Sequence, residues 1–282
     1  MALVHLLTGV DLPKPDPETH LVAEALEARG ATAAIVPWHG PGSGSEEADI
    51  ALVRSTWDYT ARLAEFVAWC RRTDQSTPVH NRPYVIEWNS HKRYLVELGE
   101  AGVPSVPTVV VAAGDPVTGL PGSWERVVVK PAVSSGAVGA ARFDASDPVA
   151  LVHLRELLRA GDALVQPFAE SVTTAGERSL IFLGGEFSHA VNKTPAGGDY
   201  RVQESRGGAV AVHVPTAGEL ELARAAVAVP DSELAYARVD LVELTGVPHV
   251  IELELIEPEL FLGTHPEAPA RLAEQILERL VF

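Results

Sequence analysis

Three carboxylates carry the most legible chemistry in this chain. Asp240 stands in "ARVDLVEL", and Glu252 and Glu254 stand in "HVIELELI", two apolar stretches joined by the short turn "TGVP". Residues two apart on a strand face the same side, so Glu252 and Glu254 point together while Ile251, Leu253 and Leu255 point into the other layer. Arg238 and Asp240 share a face in the same way. If the two strands pair through the turn, Asp240, Glu252 and Glu254 converge on a half-buried sheet. Carboxylates so placed repel one another unless a cation lies among them, and hard oxygen ligands suit Mg2+. The same spacing also suits outward-facing charges on an antiparallel sheet, with Arg238 as a partner. With 38 acidic residues in 282, acids at such offsets arise readily by chance, so the elements upstream have to separate the two readings.

Lys130 ends the apolar run "ERVVVKP" and is followed by "SSGAVGA", a glycine loop whose N–H groups could fold over phosphates. A surface lysine beside a flexible loop reads the same way. The loop is not a Walker A sequence, since no Gly-Lys-Ser/Thr follows. It is not a dinucleotide fingerprint either, because it leads into a strand and not a helix.

The elements that must position these groups alternate strand and helix over the first hundred residues: "ALVHLL", a helix over 20–29, "TAAIVP", "DIALVRS" and a helix over 60–72. That rhythm predicts a small parallel βαβ sheet. "GPGSGSEE" is a loop by composition. A helix over 89–100, capped by Asn89 or Ser90, leads into "VPSVPTVVV", which reads as a linker between domains. A second α/β unit follows: "ERVVVKP", the glycine loop, "ARF", a helix over 148–159 and "ALVQPF". "RSLIFLGGEFSHAVNK" predicts a hairpin turning on Gly184-Gly185, and helices over 217–229 and 266–280 flank the two acid-bearing strands.

Taken in order, Lys92, Lys130, the glycine loop, "LVQPF", "GDYRVQESRGG", "ARVD" and acid-x-acid resemble the ATP-grasp superfamily, in particular its branch of ribosomal-protein glutamate ligases. In that branch a metal-binding Asp is followed twelve and fourteen residues later by Glu and Asn, the offsets of Glu252 and Glu254 from Asp240. The resemblance implies an α/β (α+β) ATP-grasp fold: an N-terminal parallel βαβ domain (1–88) that binds substrate, and two α+β subdomains (89–168 and 169–282) enclosing ATP. It implies that Lys92 and Lys130 hold the ATP phosphates, that the loop including Ser134, Ser135 and Gly136 closes over them, that Gln166, Pro167 and Phe168 frame the adenine, and that Glu177 meets the ribose. Arg201, Arg238 and Lys193 would neutralise the transferred phosphoryl group, because phosphoryl transfer is catalysed mainly by positioning and charge stabilisation. Glu254 stands where the branch has Asn, and Pro167 where an adenine-contacting Glu is common.

For the substrate, ligands in open α/β sheets bind beyond the carboxyl ends of strands. Arg54, Ser55, Thr56 and Asp58 in "RSTWDY" are therefore candidates for gripping a polar substrate, and the resemblance adds Arg206 and Gly207. Thr56 or Asp58 equally suits a helix cap, and Trp57 a plug at a domain interface. "RSTWDY", "WNSHKRYL", "VQPF", "GGEFSHAV" and "ELELIEPELF" make almost the whole chain similar to cycloserine-forming cyclo-ligases. That resemblance implies an enzyme using ATP and Mg2+ to activate the carboxylate of an amino-acid-like substrate, O-ureido-serine, which then closes on its own nitrogen. An intermolecular carboxylate-amine ligase and a kinase on the same fold are the alternatives.

Composition bounds these readings. A formal net charge of −16 opposes binding to nucleic acid or anionic membranes, so any phosphate must meet a few placed cations or a metal. Cys70 is the single cysteine, which excludes an intrachain disulfide and a cysteine-rich zinc site. No run of about 18 apolar residues exists, and "MALVHLLTGVDLP" lacks a basic leader. A cytoplasmic protein is expected, with a homodimer by analogy to relatives.

Overall fold

The computed structural model describes residues 1–12, 16–43, 47–197, 200–202 and 207–280. Three sheets organise them. The first is parallel, with strand order β2-β1-β3-β4 from β1 (Leu3–Thr8), β2 (Thr32–Pro37), β3 (Ile50–Ser55) and β4 (Val79–His80). Its helices are α1 (Pro17–Glu27) and α2 (Leu63–Thr73), the latter entered by a 3₁₀ turn at Tyr59–Arg62. α1 starts earlier than the apolar period suggests, because Asp16 caps it by accepting from the Glu18 and Thr19 N–H groups, and Pro17 suits a first turn.

The second sheet is antiparallel, order β5-β8-β6-β7, formed by β5 (Val109–Val111), β6 (Arg126–Pro131), β7 (Ala141–Asp144) and β8 (Ala163–Pro167), with α5 (Pro148–Leu157) packed on it. The third is a five-stranded antiparallel sheet, order β11-β10-β9-β12-β13, from β9 (Glu177–Leu183), β10 (Glu186–Thr194), β11 (Ala209–His213), β12 (Tyr236–Leu244) and β13 (Val247–Glu254). α6 (Ala217–Ala228) and α7 (Ala268–Glu278) cover its two faces. No helix among the described residues is long and apolar enough to cross a membrane.

The helix expected over 89–100 begins only at Tyr94, and an unexpected one precedes it. α3 (Pro83–Ser90) ends where Ser90 Oγ turns back to the Glu87 carbonyl, His91 is extended, and α4 (Tyr94–Glu100) follows. Asn89, expected as a cap, instead grips strand β13: its amide donates to Leu253 O (2.8 Å) and accepts from Leu255 N–H (2.9 Å). The break leaves Lys92 N–H free to reach Ala132 O of the second unit (2.8 Å). Tyr94, Leu95 and Leu98 are buried against Leu180, Phe182 and Val239 of the five-stranded sheet, so this stretch, expected with the small unit, packs on the large one.

The parallel sheet is bonded to the large sheet by a continuous apolar layer in which Val4, Leu6 and Leu52 meet Ile181, Leu183, Leu272 and Ile276. A polar staple runs through it. Asn81, fully buried, donates to Tyr236 O (3.0 Å) and Leu255 O (2.7 Å) and accepts from Ala235 N–H (2.7 Å). Buried main-chain groups left without partners cost about 1 to 3 kcal/mol each. Asn81→Ala is therefore expected to lower stability by about 3 kcal/mol or more, read as a shift in the urea midpoint; a shift equivalent to under about 1 kcal/mol would show that water replaces the staple.

Candidate active site

The acid-bearing strands pair in the register that brings the carboxylates together: Asp240 lies opposite Glu252, and Arg238 opposite Glu254. One oxygen from each of Asp240, Glu252 and Glu254 can be chosen so that all three lie within 4.8 Å of one another. The phase along β13 differs from simple alternation. The ladder shifts between Asp240 and Leu241, passing over Ile251, so Val250, Leu253 and Leu255 enter the core while Ile251 joins the cavity wall beside Glu252.

β13 is an edge strand, whose outward main-chain groups need partners. Tyr94 Oη accepts from Leu253 N–H (3.2 Å), Asn89 holds Leu253 and Leu255, and the Pro104–Val106 segment exchanges hydrogen bonds with Val250. The edge that carries Glu252 and Glu254 is thereby fixed from outside.

Cations interleave the carboxylates. Arg238 donates through Nε to Asp240 Oδ1 (3.0 Å), through Nη2 to Asp240 Oδ2 (3.0 Å) and Glu254, and through Nη1 to Glu259 O (3.0 Å). Lys193 on β10 bridges Glu177 (2.5 Å) and Asp240 (3.2 Å), and Ser179 Oγ donates to Asp240 (2.5 Å). Lys92 donates to Glu252 (2.7 Å) and Ser134 O (3.0 Å). Burial opposes ionisation of Asp240, yet Arg238 and Lys193 hold its carboxyl well below the usual range. Burial dominates at Glu254 and, with Glu252 and Asp240 nearby, pushes its carboxyl up to about 7. Lys130 on β6 makes no ion pair among the described residues, and burial, with Lys92 close by, pulls its ammonium down to about 8.

Above this floor lies a cavity of about 600 Å³ between the two antiparallel sheets, the size of a small-molecule site. Ser134, Ser135 and Gly136 form part of its roof beside Lys130. The loop turns through positive φ at Gly136 (58°) and Gly139 (75°), and a Cβ on Gly139 would come within 2.8 Å of Pro131, so only glycine fits there. Pro167 and Phe168 line the far end, where Tyr200 packs edge-on against Phe168 and donates to Ala140 O of the loop (3.3 Å). Gln166 also lines the wall, but its amide donates to Thr108 (2.8 Å). Glu177, Lys193 and Arg201 complete this end.

At the opposite end the structure departs from expectation. Arg54, Ser55, Thr56 and Asp58 do not line the cavity. Ser55 donates to Thr8 (2.9 Å), Thr56 is fully buried, and Asp58 accepts from Trp38 Nε1 (2.8 Å) and pairs with His39 (2.6 Å). Arg54 is 2% exposed, donating to Glu18 and to Pro258 O (both 3.3 Å). The physical reason is that β3 is covered on both faces, so its last side chains turn into packed layers. Trp57, Tyr59 and Thr60, on the turn beyond, form the cavity wall instead, with Glu257 after the end of β13. Gly207 lies away from the cavity lining, at a positive φ of 83°. Arg206 lies outside the described residues. Tyr200 and Glu257 were legible only as members of "GDYR" and "IEPELF"; Tyr59 carried no signal beyond its position after a strand.

Residues 4–81 match the family model of the D-cycloserine synthetase DcsG N-terminal domain. The chain is 32% identical to the cycloserine biosynthesis protein DcsG of Streptomyces lavendulae over 99% of each chain. The crystal structure of D-cycloserine synthetase DcsG superposes with a TM-score of 0.88 at 29% identity, covering 99% of this chain and 100% of that one. The RimK domain ATP-grasp protein of Sphaerobacter thermophilus superposes with a TM-score of 0.68 at 21% identity, covering 98% of this chain and 100% of that one. With the acid cluster, lysines and glycine loop gathered as they are, the chain belongs to the family of the cycloserine biosynthesis protein DcsG and has the ATP-grasp fold.

Proposed function

We propose that this protein is an ATP-dependent ligase that activates the carboxylate of O-ureido-serine and closes it into cycloserine, a reading supported by its relationship to DcsG. The observation that carries the catalytic half is the convergence of Asp240, Glu252 and Glu254 on one end of a 600 Å³ cavity whose other walls supply Lys92, Lys130, Lys193 and Arg238. Three hard oxygen donors amid this much negative charge fit Mg2+ better than a softer metal. Mg2+ held there would neutralise phosphate oxygens and align them for transfer.

The chain's own groups then have defined tasks. The adenine end is the Pro167–Phe168 wall, and the loop with Ser134, Ser135 and Gly136 offers its main chain to the phosphates. Lys92 and Lys193 exchange their carboxylate partners for phosphate oxygens, and Lys130, which has none to give up, is already available. Arg238, fixed through Glu259 O, and Arg201 face the phosphoryl group as it passes from ATP to the substrate carboxylate, giving ADP and an acyl phosphate. The nitrogen bonded to the side-chain oxygen attacks the acyl carbon, phosphate leaves, and hydrolysis of the ureido group consumes water and releases ammonia and carbon dioxide. Confinement holds nucleophile and acyl carbon together, which replaces a bimolecular encounter. ATP as the phosphoryl donor is consistent with a cytoplasmic reaction.

Phosphate release from ATP and Mg2+ with O-ureido-D-serine or its L form, and no added amine, tests this reading, with a cyclic product expected by mass. Release only when a second amine is supplied would move the reaction to intermolecular ligation, and a persistent phosphorylated product would identify a kinase. Glu252→Gln is expected to lower turnover on the order of a hundred- to a thousandfold with the urea midpoint little changed; full activity at limiting Mg2+ would remove Glu252 from the metal site.

The pH dependence of metal stabilisation gives a separate check. Burial, reinforced by neighbouring acids, raises Glu254 to about 7 from an unfolded value of 4.5. Groups raised in the fold contribute stability that is complete below the unfolded value and is lost as pH rises through the folded one. A divalent cation substitutes for that proton. The thermal shift produced by Mg2+ is therefore expected to be larger at about pH 8 than at about pH 6, and equal shifts would mean that the carboxylates do not hold the metal.

A further inference from the structure

Most carboxylates lining the cavity already have a cation. Glu177 pairs with Lys193, Asp240 with Arg238 and Lys193, Glu252 with Lys92, and Glu254 with Arg238. The Glu257 carboxylate is different: no ion pair reaches it among the described residues, although it lines the cavity. Its mounting is nevertheless firm. Trp57 Nε1 donates to Glu257 O (3.4 Å), Arg54 to Pro258 O (3.3 Å) and Arg238 to Glu259 O (3.0 Å), while the buried Glu18 carboxylate accepts from Leu260 and Leu262 N–H (both 2.7 Å). Two domains thus hold the 257–262 backbone and leave one acidic side chain uncommitted. Burial and Glu254 push that carboxyl up to about 8, more than Lys92 and Arg238, both paired to other carboxylates, offset.

Its surroundings narrow what could supply that charge. Trp57, Tyr59 and Thr60 stand at the same end of the cavity, and the Tyr59 hydroxyl is held up by burial and by the Glu257 and Glu254 carboxylates. The neighbouring Lys92 is committed to Glu252 and Ser134 and, on the ligase reading, to phosphate. The cation must come with the ligand, and an aromatic wall with hydroxyls beside a carboxylate suits a primary ammonium. We propose that Glu257 anchors the α-ammonium of the amino-acid substrate, so that the substrate's own carboxylate is presented to the cluster of Asp240, Glu252 and Glu254, the last of which lies three residues upstream. This inference rests on the carboxylate-activating reading above and names the determinant by which that site selects amino acids over simple acids.

The test compares O-ureido-serine with its des-amino analogue, in which hydrogen replaces the amine. Wild-type kcat/KM is expected to favour the amino substrate on the order of a hundredfold, and Glu257→Gln to collapse that preference mainly through KM, with KM for ATP changed less than about threefold. Glu257→Asp should recover part of the preference. A Glu257→Gln variant that keeps the discrimination, or loses both substrates equally, overturns the anchor. Calorimetric binding of the two compounds with Mg2+ and a non-hydrolysable ATP analogue reads the same ratio without turnover. Equal wild-type affinities there overturn the anchor, whereas a preserved ratio with no phosphate release overturns the ligase reading and leaves the anchor standing.

Discussion

Like charges cannot be gathered on a half-buried sheet without compensation, and this structure is organised around meeting that constraint. Asp240, Glu252 and Glu254 sit within a few ångströms of one another because a two-strand register places them so. The register places Arg238 opposite Glu254 with equal necessity, and β9 and β10 bring Ser179 and Lys193 to the same face. Removing one partner from such a network leaves a buried charge exposed to its neighbours' repulsion, which costs far more than a surface pair contributes. The network is therefore a reason for the five-stranded sheet to be so thoroughly fixed.

That fixing comes largely from outside the sheet. An edge strand loaded with acids would fray or twist, since one side of its ladder is open. Here the open side is taken up by Asn89, Tyr94 and the Pro104–Val106 segment, and the strand's exit by Asn81 and by Tyr236, whose hydroxyl donates to Ile256 O (2.6 Å). The helices between the parallel sheet and the small sheet thus act as a brace for the site. Lys92, at the break between them, touches Glu252 and the glycine loop together, so the brace also connects the floor to the roof.

Much of this was legible in the sequence, for identifiable reasons. The strand period predicts that each strand gathers its charged residues on one face, and ordered motifs distinguish Lys130 with its loop from a surface lysine; an uninterrupted ladder from the Leu244–Val247 turn would set Asp240 opposite Ile251, and only the skipped residue brings Glu252 there. The bulge that turns Ile251 into the cavity was not legible, since nothing in "VIELE" marks which residue the ladder skips. The break at His91 was hidden because Asn89 and Ser90 suit the start of a helix, whereas they close the one that Pro83 begins; a long-range hydrogen bond from Lys92 N–H to Ala132 O holds the break. Arg54, Ser55, Thr56 and Asp58 looked like substrate ligands because polar residues at the end of a parallel strand usually face solvent. Instead Ser55 turns to Thr8 and Asp58 to Trp38 and His39 within the parallel unit, while Arg54 is taken up by the carbonyl of Pro258, a contact across 204 residues that no local pattern encodes.

The same contact explains why buried polar residues persist at that strand end. Arg54 and Glu18 form an ion pair whose side chains are 2% and 9% exposed, a costly arrangement if its only effect were stability. Both, however, spend their hydrogen bonds on one loop: Arg54 on Pro258 O, Glu18 on the Leu260 and Leu262 N–H groups. That loop begins at Glu257, three residues beyond the acid cluster, and passes through Glu259 O, which orients Arg238. A hydrophobic pair of similar volume would pack the domains together but could not satisfy these main-chain groups. The buried ion pair thus sets the distance between the parallel domain and the charged floor, and with it the width of the space in which a small substrate must fit.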